Sequence, residues 1–147
     1  QRYRSDRPLA LPAVSQEATL MGISNGLDAG LISNAVWKGV PLGMLLQAAT
    51  PLPGAVKVRF QGVDNYADTI PLEKAMDPTT LVAYEMNGAP VSVLHGAPKR
   101  LRCENELGFK MVKWIAAIEF VHDFADFGAG QGGCNEDHEF YGYRMPI

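Results

Sequence analysis

"LVAYEMNGAPVSVL", residues 81–94, is the stretch whose reading decides the fold class. Its first six residues are apolar, aromatic or β-branched apart from one Glu, a composition that suits a half-buried strand. Asn87-Gly88 then supplies the dipeptide that best closes a two-residue hairpin, because both central positions of that turn need positive φ. The expectation is a strand over 81–86, a turn at 87–88 and a return strand through "APVSVL" at 89–94.

Working outward, "VKVRF" (56–60) alternates apolar and basic residues at the period of a strand. "RLRC" (100–103) reads as a further strand, and "KWIAAIEFV" (113–121) as another, although its Ala pair and length also suit a helix. Two short helices are expected, in "PLGMLLQAA" (41–49) and "PLEKAM" (71–76), each with Pro where a first helical turn tolerates a missing N–H. Fifteen Gly and ten Pro punctuate the chain, and no internal repeat appears, which argues against a helical bundle. The fold class expected is α+β, mixed and dominated by strands.

A chain of 147 residues with 47% apolar side chains can bury one compact core, so residues 1–147 are expected to form a single domain. Thirteen basic and sixteen acidic residues leave a net charge of -3 with no basic stripe, which makes nucleic acid a poor partner. No apolar run approaches the roughly 20 residues that span a bilayer, so no transmembrane segment is expected. The opening "QRYRSDRPLALP" has neither an apolar signal core nor a cleavage pattern, and the chain is read as a mature product or a piece of a longer precursor. Cys103 and Cys134 allow at most one bridge and do not fix the redox compartment.

Several short stretches carry chemistry. In "LHGAPKRLR" (94–102), His95 is followed five residues later by Arg100, a pair that could converge on an oxyanion or phosphate, or simply solvate a turn. "GFKMVKW" (108–114) joins a permissive Gly to Lys110 and Lys113, suited either to a phosphate-bearing ligand or to a strand entry with exposed lysines. "GVDNYADTIPL" (62–72) sets Asp64 and Asp68 around Tyr66, where a carboxylate can serve a ligand or cap its own loop as an Asx-turn. The terminal cluster Cys134, Glu136, Asp137, His138 and Glu139 invites a metal reading, but neighbouring positions cannot all face one ion. No structural metal is expected there.

Taken in order, "TLMGISN", "GLISNAVWKGVPLGMLL", "VRFQGVDNYADTIPLEKA", "LVAYEMNGAPV", "HGAPKRLR", "LGFKMVKWI" and "IEFVHD" resemble the molybdopterin-binding domain of the sulfite oxidase family, including its bacterial sulfite oxidase-like members. The resemblance runs from about Leu9 to the C-terminus. It implies that family's strand-dominated α+β fold, a molybdenum-molybdopterin cofactor and two-electron oxygen-atom transfer on a small substrate. It also implies cofactor-binding roles for His95, Arg100, Lys110, Met111, Val112, Lys113 and, less directly, Asp64. An exported, periplasmic setting follows from the same resemblance, with any electron-transfer partner a separate chain, since no Cys-x-x-Cys-His haem motif is present.

Two departures from the family's pattern redirect the functional expectation. The family reads "TLQC" where this chain reads "TLMG", so Gly22 stands where the metal-ligating Cys belongs, and hydrogen supplies no donor. The family's aromatic-Arg-Asn-His segment, which closes one wall of the pocket, has no match before Gly22, where "YRSDR" (3–7) is at best a loose echo. The expectation is therefore a domain degenerate at the molybdenum site, a non-catalytic interaction subunit with other protein subunits as partners. The alternative is a molybdenum-cofactor oxidoreductase performing oxygen-atom transfer.

Overall fold

The computed structural model describes residues 11–22, 28, 30–51 and 53–122. Two sheets form the frame. The first runs β1 (Val14–Met21), β2 (Ile32–Pro41), β5 (Leu81–Met86), β6 (Ala89–Pro90), with β7 (Arg100–Arg102) also pairing β5. The second places β3 (Lys57–Gly62) between β4 (Ala67–Pro71) and β8 (Ile115–Val121). All the strand pairings are antiparallel. Helices α1 (Leu42–Ala49) and α2 (Leu72–Met76) each start directly after a strand-ending Pro, at Pro41 and Pro71.

One apolar cluster joins the two sheets and the helices. It contains Leu42 and Leu46 of α1, Val58 and Phe60 of β3, Ile70 of β4, Ala75 of α2, Val82 of β5, Leu101 of β7, Cys103 and Val112. The alternation in "VKVRF" works as expected, since Val58 and Phe60 are buried while Lys57 and Arg59 are only partly so. A smaller cluster of Ala18, Trp37, Ala83 and Val91 packs where β1, β2 and β5 meet.

The 81–94 hairpin forms, with Asn87 at φ 52 and Gly88 at φ 79, and Met86 paired to Ala89. Its return strand is shorter than the sequence suggests. Only Ala89–Pro90 pairs, because Ser92 then caps a 3-10 turn over Val93–His95 by accepting from the His95 N–H. The ambiguous 113–121 segment resolves as strand from Ile115, laid against β3 over its whole length.

Two strands escaped the sequence reading. Central β2, "ISNAVWKGVP", lacks a clean alternation because a bulge shifts its register between Lys38 and Gly39. Gly39 is needed there, since a Cβ would run into the backbone of Val82 and come 2.7 Å from Ala83 Cα. Strand β4, "ADTIP", hides a buried Asp68 and Thr69 inside what looks like a turn-forming polar run.

Candidate functional site

The three residues of β7 are all buried, although two are arginines. Arg100 is 5% exposed, and its guanidinium lies over the Trp37 ring at 5.1 Å. It donates to the carbonyls of His95 at 2.9 Å, Met111 at 3.4 Å and Leu101 at 3.4 Å, and among the described residues it has no carboxylate partner. Burial, with the nearby charge of Arg102 added, lowers its pKa to about 10, so it stays a cation at neutral pH. Arg102 reaches the other way, donating to Thr19 O at 2.8 Å and Cys103 O and pairing with Glu104 at 3.3 Å. It thereby ties β7 to β1 just ahead of Gly22.

His95 closes the 3-10 turn and remains exposed, its Nδ1 2.8 Å from Ser92 Oγ. The carbonyls of this turn hold the segment after the core. Trp114 Nε1 donates to Val93 O at 2.7 Å, Lys113 Nζ donates to Leu94 O at 3.2 Å, and the Lys113 ammonium sits 4.3 Å from the Trp114 ring centre. Gly96, at φ 109, makes room for this arrangement: a Cβ there would stand 2.8 Å from Lys113 Cβ and 3.1 Å from Arg100 Cβ.

Lys110 has a different environment. It ends a 3-10 turn over Gly108–Lys110, is 1% exposed, and pairs with Asp68 at 3.0 Å while also donating to Thr69 O at 3.2 Å. Tyr66 donates its hydroxyl to Phe109 O at 2.8 Å and lies 3.4 Å from Asp68 Oδ2. Burial pushes Asp68 up to about 6, against the opposing pull of Lys110 and the Thr69 and Tyr66 hydrogen bonds. Asp64 is exposed and accepts from the Tyr66 N–H at 3.1 Å, the Asx-turn geometry.

These segments enclose a cleft of about 360 Å³, lined by Asp64, Tyr66, Gly108, Phe109 and Met111 to Trp114. Of the residues singled out from sequence, Asp64, Met111, Val112 and Lys113 line it. Arg100 reaches its back through the Met111 carbonyl, His95 sits on the turn that holds Lys113, and Lys110 points away into the pair with Asp68. The end of β1, just before Gly22, packs against the cleft wall: a Cβ on Gly108 would come 3.1 Å from Met21 O.

The sequence reading named Gly108 as a permissive position beside a ligand, but it missed Phe109 and Trp114 as lining residues and Asp68 as the partner of Lys110. The Trp114 backbone, at φ 50, carries a signal visible only in the fold, since a bulky residue in the left-handed region marks a constrained position. Cys103 is a free thiol with no exposure, inside the main core, and burial pushes it up to about 12. Among the described residues no cluster of His, Cys, Asp or Glu could hold a metal ion, and no helix is long and apolar enough to cross a membrane. Cys134, the acidic terminal cluster and "YRSDR" lie outside the described residues.

Comparison with known proteins agrees with this frame. Residues 4–126 match the family model described as an oxidoreductase molybdopterin binding domain. The chain is 39% identical over 102 residues to an NADPH nitrate reductase of Fusarium oxysporum, covering 65% of this chain and 11% of that protein. It is 39% identical over 106 residues to the mitochondrial sulfite oxidase of Drosophila melanogaster, covering 66% of this chain and 18% of that one. Among solved structures, the sulfane dehydrogenase SoxCD of Paracoccus pantotrophus superposes with a TM-score of 0.72 at 26% identity, over 78% of this chain and 33% of that chain. The chain thus spans less than a fifth of these curated relatives and about a third of the structural one.

Proposed function

The chain belongs to the oxidoreductase molybdopterin-binding domain family, and we propose that within it this chain is degenerate at the molybdenum site, a non-catalytic interaction subunit of a larger assembly. The observation that carries the reading is the donor set. Gly22, which stands where the resemblance puts the metal-ligating Cys, has no side chain to ligate a metal. The one described thiol, Cys103, is sealed in the core and held protonated there. The family resemblance implies a protein thiolate on the metal, and the described residues offer none at the cleft, so they do not fit the metal half of the cofactor.

They do fit an anionic organic group. Arg100 is a buried cation that lies on the Trp37 ring and donates to backbone carbonyls, with no carboxylate partner among the described residues, and Lys113 lines the cleft. In this proposal His95, Arg100 and Lys113 hold the phosphate-bearing end of a pterin, while the Met111 and Val112 segment forms the wall along it. When complete, the family's cofactor supplies two-electron oxygen-atom transfer; nothing of that chemistry is assigned to this chain. Other protein subunits are the partners, and an exported, periplasmic compartment is the setting, both resting on the family resemblance.

Elemental analysis of the purified full chain tests this. Well below one molybdenum atom per chain is expected, and Gly22→Cys should raise retention, a gain lost when Arg100→Ala is added. Near-stoichiometric molybdenum in the unaltered chain would overturn the degenerate reading in favour of an oxygen-atom-transfer enzyme with another metal donor.

A further inference from the structure

We propose that the chain's two tryptophans, Trp37 and Trp114, are positioning residues of the anion site. Each gives a cation a ring to lie on in place of a carboxylate, which holds Arg100 and Lys113 still while leaving their charge for one ligand. The inference rests on the anionic-group reading above and adds how that site is kept charged.

The way the cations are partnered carries it. Lys38, Arg59, Lys74, Arg102 and Lys110 meet the carboxylates of Glu85, Glu119, Asp77, Glu104 and Asp68 in turn. Lys38 and Lys110 also lie near a ring, Tyr84 at 6.0 Å and Phe109 at 5.3 Å, but a carboxylate already neutralises each. Arg100 and Lys113 have no carboxylate partner among the described residues, and each lies on a tryptophan. The Arg100 guanidinium is 5.1 Å from the Trp37 ring centre, and the Lys113 ammonium is 4.3 Å from that of Trp114. Both also donate to carbonyls of consecutive residues on one turn, Arg100 to His95 O at 2.9 Å and Lys113 to Leu94 O at 3.2 Å. They spring from one spot, since a Cβ on Gly96 would stand 2.8 Å from Lys113 Cβ and 3.1 Å from Arg100 Cβ. A carboxylate would hold either cation but cancel its charge, whereas a ring face attracts it without adding a net charge.

Both tryptophans are themselves fixed. Trp37 is buried with Ala18, Ala83 and Val91, and its indole N–H has no partner among the described residues. What it offers Arg100 is therefore the ring face, in an apolar setting where such a contact is strongest. Trp114 holds φ 50, which a bulky residue seldom takes, and three hydrogen bonds keep it there. Its backbone N–H donates to Gly96 O at 3.2 Å, its carbonyl accepts from the Val63 N–H at 3.1 Å, and its Nε1 donates to Val93 O at 2.7 Å. The indole is thus set beside Lys113, whose ammonium uses one N–H on Leu94 O and keeps two for a ligand.

Binding of inorganic phosphate to the full chain at low salt reads this. Trp114→Leu should weaken it about threefold and Trp37→Leu on the order of tenfold, the range for partly exposed and desolvated contacts between a cation and a ring. Trp114→Phe and Trp37→Phe, which keep a ring, should bind within about twofold of the unaltered chain. Leu variants that bind as tightly as the unaltered chain, or Phe variants that lose as much as the Leu ones, overturn the role of the rings. Where a variant does not fold, proton NMR of the unaltered chain decides. The Arg100 δ-methylene and Lys113 ε-methylene protons, shielded by the indoles, should stay shielded as phosphate saturates the site. Shielding that is lost on binding means that the cations leave the rings to reach the anion, and the proposal falls while the anion site stands. Phosphate that shifts the signals of neither cation overturns the anion site itself, and the positioning roles with it.

Discussion

Lys110 and Lys113 stand three residues apart in "FKMVKW" and look interchangeable in the sequence, yet the fold gives them opposite work. Lys110 is buried and satisfied by Asp68 and a carbonyl, so its charge is neutralised inside the protein. Lys113 is half-buried, braced over Trp114 and by Leu94 O, and faces the cleft. The first organises the wall and the second is available to a ligand. A lysine's burial and partner, rather than its place in a motif, decide whether its charge holds the protein together or meets something outside it.

Removing one member of the buried pair should produce the largest effect. Lys110→Ala leaves Asp68 desolvated and unpaired, with an expected loss of about 3–5 kcal/mol in urea unfolding. A cost under about 1 kcal/mol would mean water or another group reaches Asp68, and the contrast between the two lysines would collapse.

A smaller effect should appear with pH alone. Because the Asp68 pKa is raised in the folded chain, its contribution is fully present below the ordinary 3.8 and is lost as pH climbs through about 6. Denaturant midpoints compared between unaltered chain and Asp68→Asn isolate it. The unaltered chain should gain about 1 kcal/mol relative to the variant on going from pH 7 to pH 5. The reverse trend would show that Lys110 outweighs burial at this carboxyl.

Lys113→Ala should change stability least, within about 1 kcal/mol, since its ammonium lies near the surface. Binding of a phosphate-bearing pterin, followed by calorimetry, should nonetheless weaken on the order of tenfold, the worth of one hydrogen bond to a charged group. Unchanged binding would remove Lys113 from the ligand side of the comparison and leave both lysines structural.

Much of the architecture was legible in the residues. The Asn87-Gly88 turn, the alternation of Val58 and Phe60 with basic residues, and the Pro-started helices after residues 41 and 71 are local patterns whose physics is complete within a few positions. Strands β2 and β4 were not, because a bulge at Gly39 and a buried Asp68 make them read as irregular, polar stretches. At the site, the residues in "HGAPKRLR" and "GFKMVKW" could be picked out, but two basic residues expected to be open to solvent or ligand, Arg100 and Lys110, are enclosed.

What the sequence by itself determined is the set of local elements and the family, each of which depends only on which residue stands where. Tertiary structure alone decided that Asp68 meets Lys110 across 42 positions of sequence, that Arg100 lies on Trp37, and that Cys103 is sealed away from the cleft. The reason is physical: a charge takes its value from what surrounds it, and here the surroundings come from strands that are neighbours only after folding.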